Sequence, residues 1–225
     1  MTAILGGIPI TEFLVVYPAP LESPGLPVDC AYEVGVGKVA ATMGLYSLLL
    51  QLETRRPVRG VLLCGTAGAC PERVRGSKPP VRLGQVCIVA SDTLADEGVA
   101  TAAGFLDLGA AREGQRLIDT GPFPANPRIA NDAAAVFGAP LVRGATVSTC
   151  SGADDAARAL YRRVHADVET MEGAAVAAVC RRREIPLLQL RAIGNWTGDR
   201  ARGEWNLGAA VDALRHVLQP LFPGH

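Results

Sequence analysis

Short apolar runs closed by Gly, Pro or Asp recur along this chain, separated by longer stretches whose apolar residues fall at helical spacing. The first run, residues 12–17 (EFLVVY), stops at Pro18 and Pro20, which predicts a buried strand entering a loop. Residues 59–64 (RGVLLC), 84–93 (GQVCIVASDT) and 144–149 (GATVST) repeat the strand pattern. Helical spacing marks Lys38–Glu53, residues 131–137 and 153–165, and Leu207–Leu218, the last ended by Pro220. Asp154 and Asp155 lie in the first turn of the third of these, where negative charge suits the helix dipole. Strands alternating with helices predict one α/β domain over residues 1–225, its sheet parallel or mixed, with residues 1–10 as an irregular extension. Residues 70–83, rich in Pro, Gly and basic side chains, read as an exposed loop. Residues 94–117 mix turns with short periodic pieces and read as a long excursion over a substrate site.

One stretch departs from what packing alone requires. Residues 168–200 place Glu172 at the start of an Ala-rich helix, then Arg191 and Asn195 toward the end of an apolar strand. An arginine on such a strand is costly unless paired. Glu172 is equally suited to stabilising the first turn of its helix. Elsewhere, Glu22 lies in the loop beyond the first strand, where open α/β sheets bind ligands and where a solvated loop acid is also ordinary. Gly65-Thr66-Ala67-Gly68 follows the second strand and suits either a plain turn or a ligand loop with a hydroxyl beside exposed amides. The VGVG of residues 34–37 lacks the later helix glycine of a dinucleotide fingerprint.

Composition narrows the partners. The formal net charge is zero, so a polyanion has no electrostatic pull, and no nucleic-acid partner is expected. Cys30, Cys64, Cys70, Cys87, Cys150 and Cys180 show no paired spacing, which points to reduced thiols in a cytoplasmic protein. His165, His216 and His225 are scattered, so no metal site is expected. The opening MTAILGGIPI has no basic n-region, and no apolar run approaches the roughly 20 residues that span a bilayer. Neither a signal peptide nor a membrane partner is expected.

VGVGKVAA, LLCGTAG, LGQVCIVASD, TMEGAAVAAVC and LQLRAIGN, in that order, resemble the nucleoside phosphorylase and nucleosidase superfamily over nearly the whole chain. PAPLE, GFLDL and GNWTGDRARGEW are most similar to its futalosine hydrolase branch. The methylthioadenosine/S-adenosylhomocysteine nucleosidases have an aspartate where this chain has Asn195, and a shorter VEMEA where it has VETMEG. The resemblance implies a three-layer α/β/α fold with a central mixed, partly barrel-like sheet. It also implies a small nucleoside substrate, no cofactor and a homo-oligomer of at least two chains.

The resemblance further implies roles. Glu22 activates water, Arg191 and Thr66 beside Gly65 hold the water or orient Glu22, and Glu172 binds the ribose hydroxyls over Met171. Asn195 offers both an acceptor and donors, a pattern that suits N7 and the 6-oxo group of hypoxanthine better than adenine. The hexameric phosphorylases carry an arginine shortly before the loop glycine. Here Leu62, Leu63 and Cys64 precede Gly65, so water rather than phosphate is the expected nucleophile. Arg82 and Lys78 would supply an anion site only if their loop folded inward, and either is a candidate for the substrate carboxylate. The nucleosidases stack an aromatic on the base from the segment that here reads CSGADDAARA. Phe105, Trp196 or Trp205 is left to cover the base or the benzoate that futalosine carries at the end of its side chain, or to serve as core.

Overall fold

A computed structural model describes residues 2–27, 29–55, 57–110, 117–202 and 205–222. Strands β1 (Ile4–Leu5) and β2 (Ile8–Pro9) form a small hairpin, followed by β3 (Phe13–Tyr17), β4 (Ala31–Glu33) and helix α1 (Lys38–Glu53). Next come β5 (Gly60–Ala69), α2 (Glu72–Arg75), β6 (Val86–Leu94), β7 (Gly98–Thr101), β8 (Gly104–Asp107) and β9 (Phe123–Pro124). The chain ends with α3 (Pro127–Phe137), β10 (Leu141–Thr146), α4 (Asp154–Val164), β11 (Val168–Thr170), α5 (Gly173–Arg182), β12 (Leu187–Trp196) and α6 (Leu207–Leu218).

The central sheet runs β11-β10-β6-β12-β5-β3-β4, and β11 also pairs with β5, so five of these strands close on themselves. β3, β10 and β12 run parallel to their neighbours in most pairings, while β6–β12 and β5–β11 are antiparallel. This is the mixed, partly barrel-like sheet expected. Helices α1 and α5 cover one face, burying Leu45, Leu49 and Val176 against Val61 and Leu63. α3 and α6 cover the other, with Ile129, Leu214 and Leu218 against Leu62, Ile88 and Leu190. The alternation of neighbouring residues along β5 to opposite helical layers is the period-two pattern of a strand buried on both sides.

β5 is the element on which the site depends. Its first half pairs with β3 as far as Val16 opposite Leu63, and its last residues pair with β11 at Gly68 and Ala69. Between those two partners lie Cys64 to Ala67. There β5 has no strand on that side among the described residues, so its backbone groups need another partner.

Four expectations change. Gly65-Thr66-Ala67-Gly68 is not a turn but the second half of β5, held in the sheet by pairing along β12. Residues 70–83 are not simply exposed: Cys70, Val74 and Val81 are buried, and residues 72–75 form α2. The expected irregular extension at 1–10 is ordered over its described residues 2–10, because Leu5 and Ile10 enter the core and anchor the β1–β2 hairpin against α3. The excursion at 94–117 contains the β7–β8 hairpin, while its residues 111–116 lie outside the described ones. Residues 203 and 204, within the GNWTGDRARGEW stretch, and His225 also lie outside them.

Candidate active site

Glu22 fills the opening along β5. Its Oε2 accepts from the backbone N–H of Thr66 at 2.5 Å and from Thr66 Oγ1 at 2.9 Å. The loop acid is therefore a fixed group, supplying the acceptor that a neighbouring strand would otherwise provide. Gly65 is required by close approach: a Cβ there would lie 2.7 Å from Arg191 Nη1 and 3.0 Å from Glu22 Oε2. The glycine thus lets a guanidinium and a carboxylate converge over one point of the sheet.

Arg191 sits on β12 opposite Gly65 and is fully buried. Its Nη1 donates to Glu172 Oε2 at 3.4 Å, while its Nε and Nη2 have no hydrogen-bond partner among the described residues. Glu172, at the N-terminal boundary of α5, is also buried, and its Oε1 accepts from Gly37 N at 3.1 Å, just before α1. One carboxylate thus ties the starts of two helices to a strand arginine, where the helix dipoles favour negative charge. Met171 is half-buried directly before it. Lys38, the next residue after Gly37, bonds Asp96 at 2.6 Å and Glu97 at 2.5 Å, which fixes the root of the β7–β8 hairpin beside the site.

Asn195 comes to its place through a bulge. Arg191 pairs with Gly65 and Ile193 with Ala67, but the extra residue Gly194 leaves Asn195 opposite Gly68. A one-residue slip reverses the face of a strand residue. Asn195 therefore shares the face of Thr66 and Gly68, whereas Arg191 shares that of Gly65. Its Nδ2 donates to Trp196 O at 3.0 Å. It lines a cavity with Gly68, Cys150, Ser151, Glu169, Trp196, Arg200 and Trp205. Thr66 and Gly68 are two residues apart on one face, about 7 Å, so this cavity adjoins the Glu22 contact.

Glu22, Thr66, Gly65, Arg191 and Glu172 thus form one connected cluster, with Asn195 next to it. Phe105 is not on the Asn195 cavity: its ring packs against Gly98 and beneath the Arg163 guanidinium, 4.0 Å from the ring centre. Trp196 and Trp205 do line it, Trp205 with Arg200 stacked 4.6 Å from its ring centre. Lys78 and Arg82 are exposed. Cys64 and Cys87, nearest Arg191, are inert thiols pushed up to about 12 by burial.

Three buried acids escaped the sequence reading: Asp167, which pairs with Arg75, and the two nearer the site, Glu169 and Asp92. Glu169 lies on β11, and its only signal is that it alternates with Val168 and Thr170 in a very short strand. Asp92 on β6 accepts from Thr93 N and Thr146 Oγ1 through Oδ1, while its Oδ2 meets Gln189 Oε1 beneath Gly173. Two facing acceptors are reconciled by a proton on Asp92, or by turning the Gln189 amide so that its NH2 faces the carboxylate. Burial pushes the Asp92 carboxyl up to about 6, against the opposing pull of Arg191, Thr146 and Gln189. Because that value lies above the usual 3.8, the folded state binds more protons than the unfolded one between the two. Stability from this group is full below pH ~4 and falls through pH ~6, on the order of 3 kcal/mol. Asp92→Asn is expected to remove that slope and to melt no lower than the parent at pH 7.5. Thermal melts of both proteins from pH 4 to 8 check this, and a parallel loss in the variant at every pH contradicts it.

Comparison with known proteins identifies the family and the fold. The phosphorylase superfamily profile matches residues 25–220. The chain is 33% identical over 190 residues to the futalosine hydrolase of Thermus thermophilus, covering 84% of this chain and 79% of that one. It is 31% identical over 195 residues to the futalosine hydrolase of Streptomyces coelicolor, covering 84% and 76%. Among solved structures, futalosine hydrolase of Helicobacter pylori superimposes with a TM-score of 0.68 at 17% identity, over 91% of this chain and 95% of that one. The 5′-methylthioadenosine/S-adenosylhomocysteine nucleosidase of Streptococcus pneumoniae gives 0.66 at 20% identity, over 92% and 95%. At such identities the structural likeness speaks for the fold, and the closer sequence relatives speak for the branch. The chain belongs to the phosphorylase superfamily and, within it, to the futalosine hydrolase family.

Proposed function

We propose that this protein hydrolyses the N-glycosidic bond of futalosine, releasing hypoxanthine and dehypoxanthine futalosine in the alternative menaquinone pathway. The observation that carries the reading is Glu22, held by both donors of Thr66 over Gly65, with Arg191 and Glu172 beside it. Breaking the bond makes an oxocarbenium-like ribosyl centre and a purine anion. The site must therefore deprotonate a positioned water, hold the sugar and stabilise the base. Glu22 takes the water proton. The unpartnered Arg191 donors help to hold the water. Glu172 accepts from the ribose 2′- and 3′-hydroxyls. A solvent proton reaching N7 lets the base leave as neutral hypoxanthine, and Asn195 then accepts from N7–H and donates to O6.

Water is the nucleophile because the strand before Gly65 presents only buried Leu62, Leu63 and Cys64, and both Lys78 and Arg82 are exposed. The decisive assay incubates the purified protein with futalosine, with and without phosphate, and follows the released base by chromatography. Phosphate-independent hypoxanthine release is expected. Strict phosphate dependence, or equal or faster cleavage of methylthioadenosine, overturns the reading.

The working protein is proposed to be a cytoplasmic homo-oligomer. The six cysteines are free among the described residues, which accords with a reducing compartment, and no helix there is long and apolar enough to cross a membrane. Val39, Met43, Tyr46 and Leu50 make an exposed apolar stripe at helical spacing on α1. A cleft of about 480 Å³ opens between that stripe and Ala175, Ala178 and Val179 of α5. A stripe of this kind marks an interaction surface. Met43→Glu is expected to reduce the mass measured by light scattering to that of one chain, and an unchanged oligomer contradicts the assignment of this face.

A further inference from the structure

Gly68 has two neighbours on its own face. Asn195 is its partner on β12, and Glu169 is its partner on β11. Strand neighbours lie about 4.8 Å apart, so the two side chains flank a glycine floor roughly 10 Å wide. A Cβ at Gly68 would fall 3.0 Å from the Asn195 amide, so any larger residue would fill this floor. Both polar side chains line the same cavity. As it stands that cavity holds about 40 Å³, less than a purine, so admitting a base requires its exposed wall residues, Arg200 and Trp205, to shift.

Glu169 is buried, which raises its pKa, while hydrogen bonds from Ser151 and the Cys150 thiol favour the ionised carboxylate. Ser151 N donates to Oε1 at 2.7 Å and Ser151 Oγ to Oε2 at 2.6 Å. Ser151 and the Cys150 thiol together take three of the four acceptor positions of the carboxylate, which leaves one for a ligand. The Ser151 clamp fixes the plane of the carboxylate. A purine lying across Gly68 presents its N7 and 6-substituent edge to Asn195, with N1 adjoining. A 6-oxopurine carries hydrogen on N1, whereas a 6-aminopurine presents a lone pair there. A fixed carboxylate accepts from the first and repels the second.

We infer that Glu169 is a specificity-determining residue, accepting the N1–H of a 6-oxopurine opposite Asn195 and rejecting 6-aminopurines. The inference rests on the proposed hydrolase reading for its substrate, but it is testable on the free base. A hydrogen bond to a charged group contributes about 1.5–3 kcal/mol, equivalent to roughly 10- to 100-fold in affinity. Isothermal titration of the unmodified protein should show hypoxanthine binding at least about tenfold more tightly than adenine or 1-methylhypoxanthine, which lack the N1–H. In Glu169→Gln, whose amide preserves the size and can donate to N1, the hypoxanthine-to-adenine affinity ratio should fall by about tenfold or more. The same ratio measured as kcat/KM for futalosine against its 6-amino counterpart should fall in parallel. Equal affinities in the unmodified protein overturn the inference. So does a variant that loses both bases together, because that is the signature of an acid that only anchors the Ser151 loop. Failure to hydrolyse futalosine, with base selectivity intact, would instead count against the reaction and leave the role of Glu169 standing.

Discussion

Glu22→Gln is expected to lower kcat for the nucleoside by roughly 10²- to 10⁴-fold, the usual worth of a positioned general base, with KM little changed. The amide keeps the shape and can still accept from Thr66 N, so the loop should stay docked in the opening along β5. What is lost is the capacity to take a proton from water. Steady-state kinetics beside a thermal melt separate the two effects: a stable protein with collapsed turnover is the expected pair. Turnover within about threefold of the parent would remove Glu22 from the chemistry.

Arg191→Met is expected to cost about 3–5 kcal/mol of stability, because the substitution strands the buried Glu172 carboxylate without its cation. At roughly 2–4 °C per kcal/mol for a chain of this size, the melting temperature should drop by about 6–20 °C. The double variant Arg191→Met with Glu172→Gln should recover part of that loss, since the uncompensated charge is then gone. Urea unfolding at pH 7.5 measures both. If the single variant loses less than about 1 kcal/mol, the Arg191–Glu172 contact is not the buried ion pair described above. Activity should vanish in either variant, as both residues face the proposed sugar and water sites.

Much of this was legible in the chain. The helical spacing of residues 38–53 and 207–218 coincides with α1 and α6, because their apolar faces meet the core at regular intervals. Glu22, Thr66, Gly65, Arg191 and Glu172 were singled out together, and the structure joins them through contacts that sequence spacing cannot show. The second half of β5 was not legible, since Gly65, Ala67 and Gly68 carry little strand propensity, Thr66 alone does not offset them, and the segment is held in the sheet by β12. β11 is three residues long, too short for periodicity to register, so both the closure of the barrel and Glu169 were hidden. The side on which Asn195 projects depends on the bulge at Gly194, a tertiary feature with only a glycine as its sign.

The double partnership of β5 also bears on the order in which the molecule assembles. β3 and β5 are brought together by a crossover through α1, a comparatively local event. The β5–β11 pairing joins Ala69 to Val168, which are ~100 positions apart, and such non-local closures are slow because loop entropy is lost before contacts compensate. Until that seam closes, β5 has a free edge beyond Leu63, and the Thr66 N–H can bond to solvent or to another strand. The recess that holds Glu22 is therefore a late product of folding. A chain caught before that step carries an open edge of the kind that recruits other chains.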